Sequence, residues 1–259
     1  MKFVQPKKVN LIRKAAMCLI LSVVVCAFGY QKNFLSEQTK YERVRTALKE
    51  KEGLVAKNLQ DKGLTLNDLN IIMVAYKDED ELEIYAKKKN ETTYTKLATY
   101  KICSRSGALG PKRKKGDNQV PEGFYHINRF NPSSNFYVSL GLNYPNQADK
   151  LKSSASDLGG DIFIHGSCVT IGCMPMTDDK MKEIYLYAIH AKSNGQTKIP
   201  VYVFPFKMTE QNFAVYKTKY NDNKILLAFW SNLKKGFDAF TKEKKELNFT
   251  IAPNGDYLY

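Results

Sequence analysis

Short apolar runs alternate with polar and glycine-containing turns along most of the chain, which is the pattern expected of a β-rich domain. One early exception is a charged segment over 36–52 whose apolar residues recur at helical spacing, and Gly53 is expected to end this helix. The apolar runs predict seven strands, of which the first three should form an antiparallel meander: 70–76, 82–86, 93–102, 123–127, 136–142, 161–165 and 199–204.

Helical patterns are concentrated in the second half of the chain. Thr177 is a favourable N-cap, and two aspartates follow it in the expected first turn of a helix that runs towards residues 194–195. Two further helices are predicted over 209–220 and 224–246, followed by short strand-like pieces near the C-terminus.

The segment 104–122 is predicted to be a long loop, because it combines glycines, prolines and a cluster of basic residues at 112–115. It lacks the Gly-Lys-Ser or Gly-Lys-Thr ending of a phosphate-binding loop, which excludes that function. Two roles remain open for it, a solvated connector or a loop that borders a substrate cleft.

The N-terminus has the composition of an export signal. Five basic residues precede an uncharged, largely apolar run over 15–30, which is shorter than the roughly 20 residues needed to span a bilayer. Residues 1–29 are therefore expected to be a signal peptide, with a retained N-terminal anchor as an alternative. Cys26 adds the alternative of lipidation, although Val25 before it is larger than a lipid-attachment site requires. The chain is expected to reach the periplasm or cell envelope.

Length and charge narrow the class of protein. The chain has 259 residues, 43% of them apolar and 25% charged, which suits one packed catalytic domain with appendages. Its formal net charge of +14 becomes 14 − 5 = +9 without the five basic residues of the signal. Such a surface suits anionic wall polymers or lipid head groups, or is simply rich in lysine. Export argues against a nucleic-acid partner.

Three cysteines follow the signal, namely Cys103, Cys168 and Cys173. An odd number in an oxidising compartment leaves one thiol free or paired with another molecule. Cys168 could pair with Cys173, which would silence that thiol, or with the distant Cys103, which would leave Cys173 free.

The segment 161–179 carries the candidate chemistry, because it places His165 at the end of a predicted strand and Cys173 shortly before a predicted helix. A thiolate is favoured by a neighbouring imidazolium and by the positive end of a helix dipole. Gly172 allows a tight turn that points successive amides into one small space, as an oxyanion hole requires. Zinc is the competing interpretation, but His165, Cys168 and Cys173 supply only three ligands.

These residues resemble the L,D-transpeptidase catalytic domain (YkuD-like) family, in which a His-Gly pair precedes a Ser/Thr-x-Gly-Cys motif. The matching stretches are Ile164-His165-Gly166 and Thr170-Ile171-Gly172-Cys173, and the spacing of eight from histidine to cysteine resembles the YafK-type branch. Further similar blocks at 109–125 and 136–146 extend the resemblance over roughly 70–205.

The resemblance implies a fold and a set of roles. The fold should be mainly β with flanking helices (α+β), a mixed sheet forming a sandwich or barrel over 70–205, with a helical lead-in over 30–69 and a C-terminal helical extension over 206–259. Cys173 would be the nucleophile, His165 the base, Gly172 with the Cys173 amide the oxyanion donors, and the Gly166 carbonyl would orient the imidazole. Met174 and Pro175 replace the family's Ile-Arg, so recognition by that arginine is absent here.

The same resemblance implies that no cofactor is used and that the partner is a peptidoglycan stem peptide. A second stem-peptide amine as acceptor would make the protein a transferase, whereas water would make it a hydrolase that trims cross-links or releases a wall-attached protein. A non-catalytic wall-binding module is a third alternative. Candidates to line the cleft and meet the stem peptide are Lys112, Arg113, Tyr125, Asn143, Tyr144 and Thr170. The alternative is a solvated or packing role for the first five and loop hydrogen bonding for Thr170.

Overall fold

The computed structural model describes residues 34–259, so the predicted signal over 1–29 lies outside the described residues. Within that range no helix is long and apolar enough to cross a bilayer. The strands are β1 (Asn70–Tyr76), β2 (Glu81–Lys87), β3 (Thr95–Lys101), β4 (Gly123–Asn131), β5 (Ser139–Leu142), β6 (Phe163–His165), β7 (Met174–Pro175), β8 (Pro200–Phe204), β9 (Thr250–Ile251) and β10 (Tyr257–Leu258). The helices that follow a helical segment over 34–39 are α1 (Glu42–Gln60), α2 (Gln147–Lys152), α3 (Asp178–Ser193), α4 (Glu210–Lys219) and α5 (Lys224–Glu243).

Eight strands form one mixed sheet in the order β3-β2-β1-β8-β4-β5-β6-β7, and β9 and β10 form a separate antiparallel pair. Strands β1, β2 and β3 are antiparallel neighbours, which confirms the predicted meander. Strands β1 and β8 pair in parallel, as do β6 and β7. The expected α+β class, with a mixed sheet and flanking helices, is confirmed.

Both faces of the sheet are buried, which explains why β1 is apolar at nearly every position instead of alternating. Ile71, Met73 and Ala75 face a core that includes residues of α1 and α3. The intervening Ile72 and Val74 belong to a second core with α5 and the C-terminal strands. The C-terminal extension is therefore packed against the sheet, because it covers one of the two apolar faces.

The first predicted helix differs most from the structure. Helix α1 continues through Gly53 to Gln60, so the expected stop at Gly53 is wrong. A glycine inside a helix costs about 1 kcal/mol relative to alanine. Beyond it, Val55 and Leu59 are fully buried against the core, and burying a side chain of this kind contributes about 1.5–3 kcal/mol. The free energy gained by burying Val55 and Leu59 therefore exceeds the cost of placing Gly53 inside the helix.

Two predicted strands begin later than their apolar patterns suggested. Tyr137 and Asp161 have φ values of +69° and +54°, so neither can start a regular strand, and β5 and β6 begin after them. Helix α2 was not predicted; Asn146 and Asp149 form a capping box at its start. The two-residue strand β7 was also missed.

Candidate active site

The candidate base lies on strand β6 at one edge of the sheet, and the candidate nucleophile directly precedes the neighbouring strand β7. In the parallel pair β6–β7, Ile164 is opposite Met174 and His165 is opposite Pro175. Cys173 immediately precedes β7, and its Sγ accepts a 3.4 Å hydrogen bond from the backbone N–H of Phe163. The fold therefore brings Cys173 beside the strand that carries His165, two residues along from Phe163.

Cys173 carries a free, half-buried thiol. Its Sγ lies 3.5 Å from the carbonyl oxygen of Asp161, which can accept the thiol proton. Burial raises the pKa of the Cys173 thiol, the Phe163 amide opposes that rise, and the nearby Asp161 charge adds to it. The resting group is consequently a thiol at neutral pH, and it needs a base to become a nucleophile.

The His165 ring is held in one orientation. It is 2% exposed, its Nδ1 lies 2.5 Å from the carbonyl oxygen of Gly166, and the Phe136 ring packs against it at 4.8 Å between centroids. A carbonyl can only accept, so Nδ1 carries the hydrogen and Nε2 is left as the proton acceptor. Burial lowers the pKa of His165, which favours the neutral imidazole and leaves Nε2 unprotonated.

Gly166 is fixed by the start of helix α3. A side chain at this position would have its β carbon 2.8 Å from Tyr137 Cβ and 3.0 Å from the Phe136 carbonyl oxygen, and would also collide with the carboxylate of Asp178. That carboxylate accepts a 2.8 Å hydrogen bond from the Ser167 amide. Only glycine allows the carbonyl beneath His165 to sit this close to α3.

Thr170 organises the turn that precedes the nucleophile. Its Oγ1 accepts hydrogen bonds from the amides of Cys173 at 2.8 Å and Gly172 at 3.2 Å, and donates to the Cys173 carbonyl at 2.8 Å. Gly172 has a φ of +137°, which side-chain-bearing residues rarely adopt. The two amides expected to form an oxyanion hole are thus occupied by the Thr170 hydroxyl.

A disulfide joins the loop between β6 and β7, which leads to Cys173, to the segment that follows β3. Cys103 and Cys168 are bonded with their Cα atoms 5.5 Å apart, which confirms the second of the two predicted pairings and leaves Cys173 free. The Cys103 amide also donates to the Pro175 carbonyl at 3.0 Å. Because Cys168 is oxidised, it cannot act as a thiolate ligand, so the zinc interpretation is wrong. Residues 34–259 contain no cluster of three potential metal ligands.

Cys173 opens into a cleft of about 230 Å³. Residues 104–109 line the cleft, so the predicted loop borders it, which was one of its two expected roles. Residues that follow β1 and the end of α4 in the C-terminal extension also line it. The arrangement combines a free thiol, an oriented neutral imidazole on the adjacent strand and room for a ligand, which suits nucleophilic acyl transfer.

Comparison with known proteins matches this site to one family. Residues 70–203 match the L,D-transpeptidase catalytic domain family, YkuD. Over 185 residues the chain is 36% identical to YafK of Escherichia coli strain K12, and equally to YafK of E. coli O157:H7, with 71% of this chain and 71% of each relative covered. The chain belongs to the L,D-transpeptidase catalytic domain family.

Two solved structures are also similar. The helical cell shape determining protein Pgp2 from Campylobacter jejuni is 21% identical with a TM-score of 0.42, over 71% of this chain and 73% of that one. Bd1075 of Bdellovibrio bacteriovorus is 19% identical with a TM-score of 0.37, over 55% and 50% of the two chains.

Within this L,D-transpeptidase domain, most of the residues expected to bind substrate take part in buried polar contacts near the loop over 104–122. Lys112 is 5% exposed, and its Nζ lies 2.6 Å from Asp117 Oδ1. Burial alone would raise the pKa of Asp117, but the Lys112 ammonium and three backbone amides hold it below its usual value. The paired Lys112 side chain therefore connects two parts of the loop.

A second buried carboxylate, that of Asp149, contacts two further residues of the group expected to bind substrate. Asp149 accepts hydrogen bonds from Tyr125 Oη at 3.1 Å and from Arg113 Nη1 at 3.2 Å. Burial raises the pKa of Asp149 to about 6, against the Asn146 amide and the Arg113 guanidinium. Tyr144 is buried nearby and donates to the Leu158 carbonyl at 3.2 Å. Tyr125 and Tyr144 are thus buried with hydrogen-bond partners in the interior, whereas the Arg113 side chain is partly exposed.

Asn143 lies away from the nucleophile. Its Oδ1 accepts a 2.7 Å hydrogen bond from the His126 amide, and it lines a second cavity near the C-terminal segment. Thr170 is the one residue of the predicted substrate-binding group that contacts the nucleophile directly. Five charged residues that line the cleft were not predicted from the sequence, because nothing in it indicates that they meet: Lys77, Asp78, Asp80, Arg105 and Lys219.

Proposed function

We propose that this protein is a peptidoglycan L,D-transpeptidase that acts through an acyl-enzyme on Cys173. Membership of the family indicates that this chain is an L,D-transpeptidase-type enzyme whose substrate class is peptidoglycan. The observation that carries the finer proposal is the free Cys173 thiol in the cleft, beside the strand whose His165 has its Nδ1 fixed by Gly166. The proposal includes Cys173 as the acylated residue and the amine of a second stem peptide as the acceptor.

The first half of the reaction forms a thioester. His165 Nε2 takes the thiol proton as Cys173 Sγ attacks the carbonyl carbon between an L-configured centre and the following D-alanine of a stem peptide. The carbon–nitrogen bond then breaks, and the leaving amine takes the proton from the imidazolium. D-Alanine departs, and the stem peptide stays bound to Sγ through its acyl carbon.

The second half transfers the acyl group. An amine of another stem peptide attacks the thioester carbon and gives a proton to His165, and the carbon–sulfur bond breaks. The thiolate regains its proton from the imidazolium, so the enzyme returns to its starting state with one new peptide bond formed. Water in place of the amine would release a free carboxylate instead.

The pKa values of the two groups support proton transfer during attack over a preformed ion pair. Burial raises the pKa of Cys173 and lowers the pKa of His165, so the neutral thiol and neutral imidazole are the favoured resting forms. In residues 34–259 no hydrogen bond joins the ring to the thiol. Catalytic hydrogen bonds are often long without substrate and tighten in the complex.

The oxyanion donors are part of the proposal. The developing oxyanion would take the place of the Thr170 hydroxyl at the amides of Gly172 and Cys173, which already share one acceptor. Removing one such donor elsewhere costs about 10²–10³ in kcat. Export to the periplasm or cell envelope is also proposed, from the composition of residues 1–29.

Purified muropeptides test the proposal. The protein is incubated with disaccharide tetrapeptides and, separately, with cross-linked dimers, and the products are identified by mass. A new dimer together with released D-alanine is the expected result. Release of D-alanine alone, or cleavage of the dimer, assigns the same site to hydrolysis. If the unmodified protein changes neither the tetrapeptides nor the dimers, the proposal is contradicted.

A further inference from the structure

A second cavity lies towards the other end of strand β8 from the Cys173 cleft. Its volume is about 430 Å³, within the range of about 300–1,000 Å³ that is usual for small-molecule sites. Pro200, the first residue of β8, lines this cavity, whereas the cleft is lined by Ala75, whose partner on β8 is Val203. The three positions from Pro200 to Val203 correspond to about 10 Å of strand. Among residues 34–259 no residue lines both spaces, and we call the second one the distal cavity.

The distal cavity is built from the middle of the sheet and from the end of the chain. Strands β4 and β8 contribute Phe124 and Tyr202, and the segment 246–251 contributes further lining residues. That segment is anchored to the strands, because the Leu247 amide donates to the Tyr202 hydroxyl at 2.9 Å and the Phe249 ring packs on Phe124 at 5.2 Å between centroids. It follows the matched family domain, so part of the distal cavity belongs to the C-terminal extension.

Several polar groups that line the distal cavity have no hydrogen-bond or ion-pair partner within residues 34–259. They are the side chains of His126, Gln147, Lys198, Glu246 and Asn248, and the amide nitrogen of Asn143. Burial, together with the charges of Lys198 and Lys192, lowers the pKa of His126, so its neutral ring offers one donor and one acceptor. The set holds one positive and one negative charge, which favours a ligand without net charge.

The same cavity has an apolar part, to which the half-buried side chains of Leu247, Phe249 and Ile251 belong. A pyranose ring has C–H groups on its faces and hydroxyls around its edge, so it matches a lining that combines apolar and hydrogen-bonding groups. An extended peptide matches it less well, because β4 and β8 are interior strands with neighbours on both sides. They offer no open edge to which a peptide strand could be added.

We infer that the distal cavity is a binding site for a neutral saccharide. The amides, the His126 ring and the Glu246 carboxylate would exchange hydrogen bonds with sugar hydroxyls, each of which both donates and accepts. The Phe249 ring and its apolar neighbours would pack against a sugar ring face. Binding there requires no acyl transfer at Cys173, so the inference goes beyond the proposed function. Wall glycan and other envelope sugars share this chemistry, and the choice of titrant distinguishes them.

Isothermal titration of the purified protein with peptide-free sugars tests the inference. The titrants are chitotetraose, a chain of four N-acetylglucosamine rings, and cellotetraose, a chain of four glucose rings. We expect chitotetraose to bind, and Glu246→Ala or Asn248→Ala to weaken its binding about three- to tenfold, because each removes one hydrogen-bonding group. Both residues are exposed, so neither change should disturb the fold. Binding of cellotetraose as well assigns the site to neutral sugars in general, and its failure to bind assigns the site to N-acetylated glycans.

Glu243→Ala is the matched control, because it removes the same exposed side chain three positions earlier and outside the distal cavity. Lys219→Ala alters the Cys173 cleft instead. Both variants should keep the Kd for chitotetraose. The inference is overturned if neither sugar binds, or if Lys219→Ala weakens sugar binding while Glu246→Ala does not. Acylation of Cys173 without any sugar binding would leave the proposed function standing, whereas sugar binding without acylation would contradict the proposed function alone.

Discussion

Glu122 gives a sharp test of how the cleft loop is held, because it is a fully buried carboxylate that joins three parts of the chain. One oxygen accepts from Lys77 Nζ at 2.9 Å and from the Gly110 amide at 2.7 Å, and the other accepts from Trp230 Nε1 at 2.8 Å. Glu122→Ala would leave the Lys77 ammonium, whose side chain is 8% exposed, with two backbone carbonyl acceptors but without its carboxylate partner. Breaking a buried ion pair in this way costs about 3–5 kcal/mol of unfolding free energy.

The assay is equilibrium urea unfolding followed by far-ultraviolet circular dichroism, with the fluorescence of the single tryptophan as a second signal. Glu210→Ala is the control, because Glu210 also pairs with a lysine, at 2.6 Å, but is 87% exposed, so its loss should cost about 0–1 kcal/mol. The double variant Lys77→Met with Glu122→Leu should be more stable than Glu122→Ala alone. A loss for Glu122→Ala no larger than that for Glu210→Ala would refute the reasoning.

Three further predictions concern the disulfide and the pH dependence of His165 and Cys173. The Cys103–Cys168 bond closes a loop of 65 positions, so Cys103→Ser with Cys168→Ser should lower stability by about 2–4 kcal/mol while Cys173 still reacts with thiol probes; unchanged thermal unfolding would contradict this. Because burial lowers the pKa of His165, the acid limb of kcat/KM should fall below the ordinary histidine value of about 6.5, and a limb above pH 7 would contradict the neutral resting imidazole. Because burial raises the pKa of Cys173, its alkylation by iodoacetamide should increase with pH at higher values than for an unstructured cysteine peptide, and equal profiles would argue against a buried thiol.

The sequence predicted the candidate pair better than its surroundings. Cys173 and His165 could be proposed because one segment places a thiol directly after a glycine and an imidazole at a strand end, and because that segment resembles the family motif. The free state of Cys173 followed from an odd cysteine count only as one of two pairings, and the structure decides between them. The burial of Lys112 and its pairing with Asp117 could not be predicted, because both depend on the folded loop.

Long-range packing explains most of the remaining differences. Helix α1 passes Gly53 because Val55 and Leu59 meet the core, which helical periodicity alone does not reveal. The two residues of β7 are too few to give a pattern, yet their pairing with β6 positions the nucleophile. Lys219 joins the cleft from 46 positions beyond Cys173 (219 − 173), and only the packing of α4 against the domain brings them to one cavity.

The covalent intermediate tests the central claim most directly. The purified protein is mixed with a disaccharide tetrapeptide, quenched in acid within the first turnover, and digested for mass mapping. We predict an acyl adduct on the peptide that contains Cys173, at the mass of the substrate less D-alanine, with no adduct in Cys173→Ala and a slower one in His165→Ala. Turnover without an adduct, an adduct on another residue, or full activity in Cys173→Ala would contradict the account.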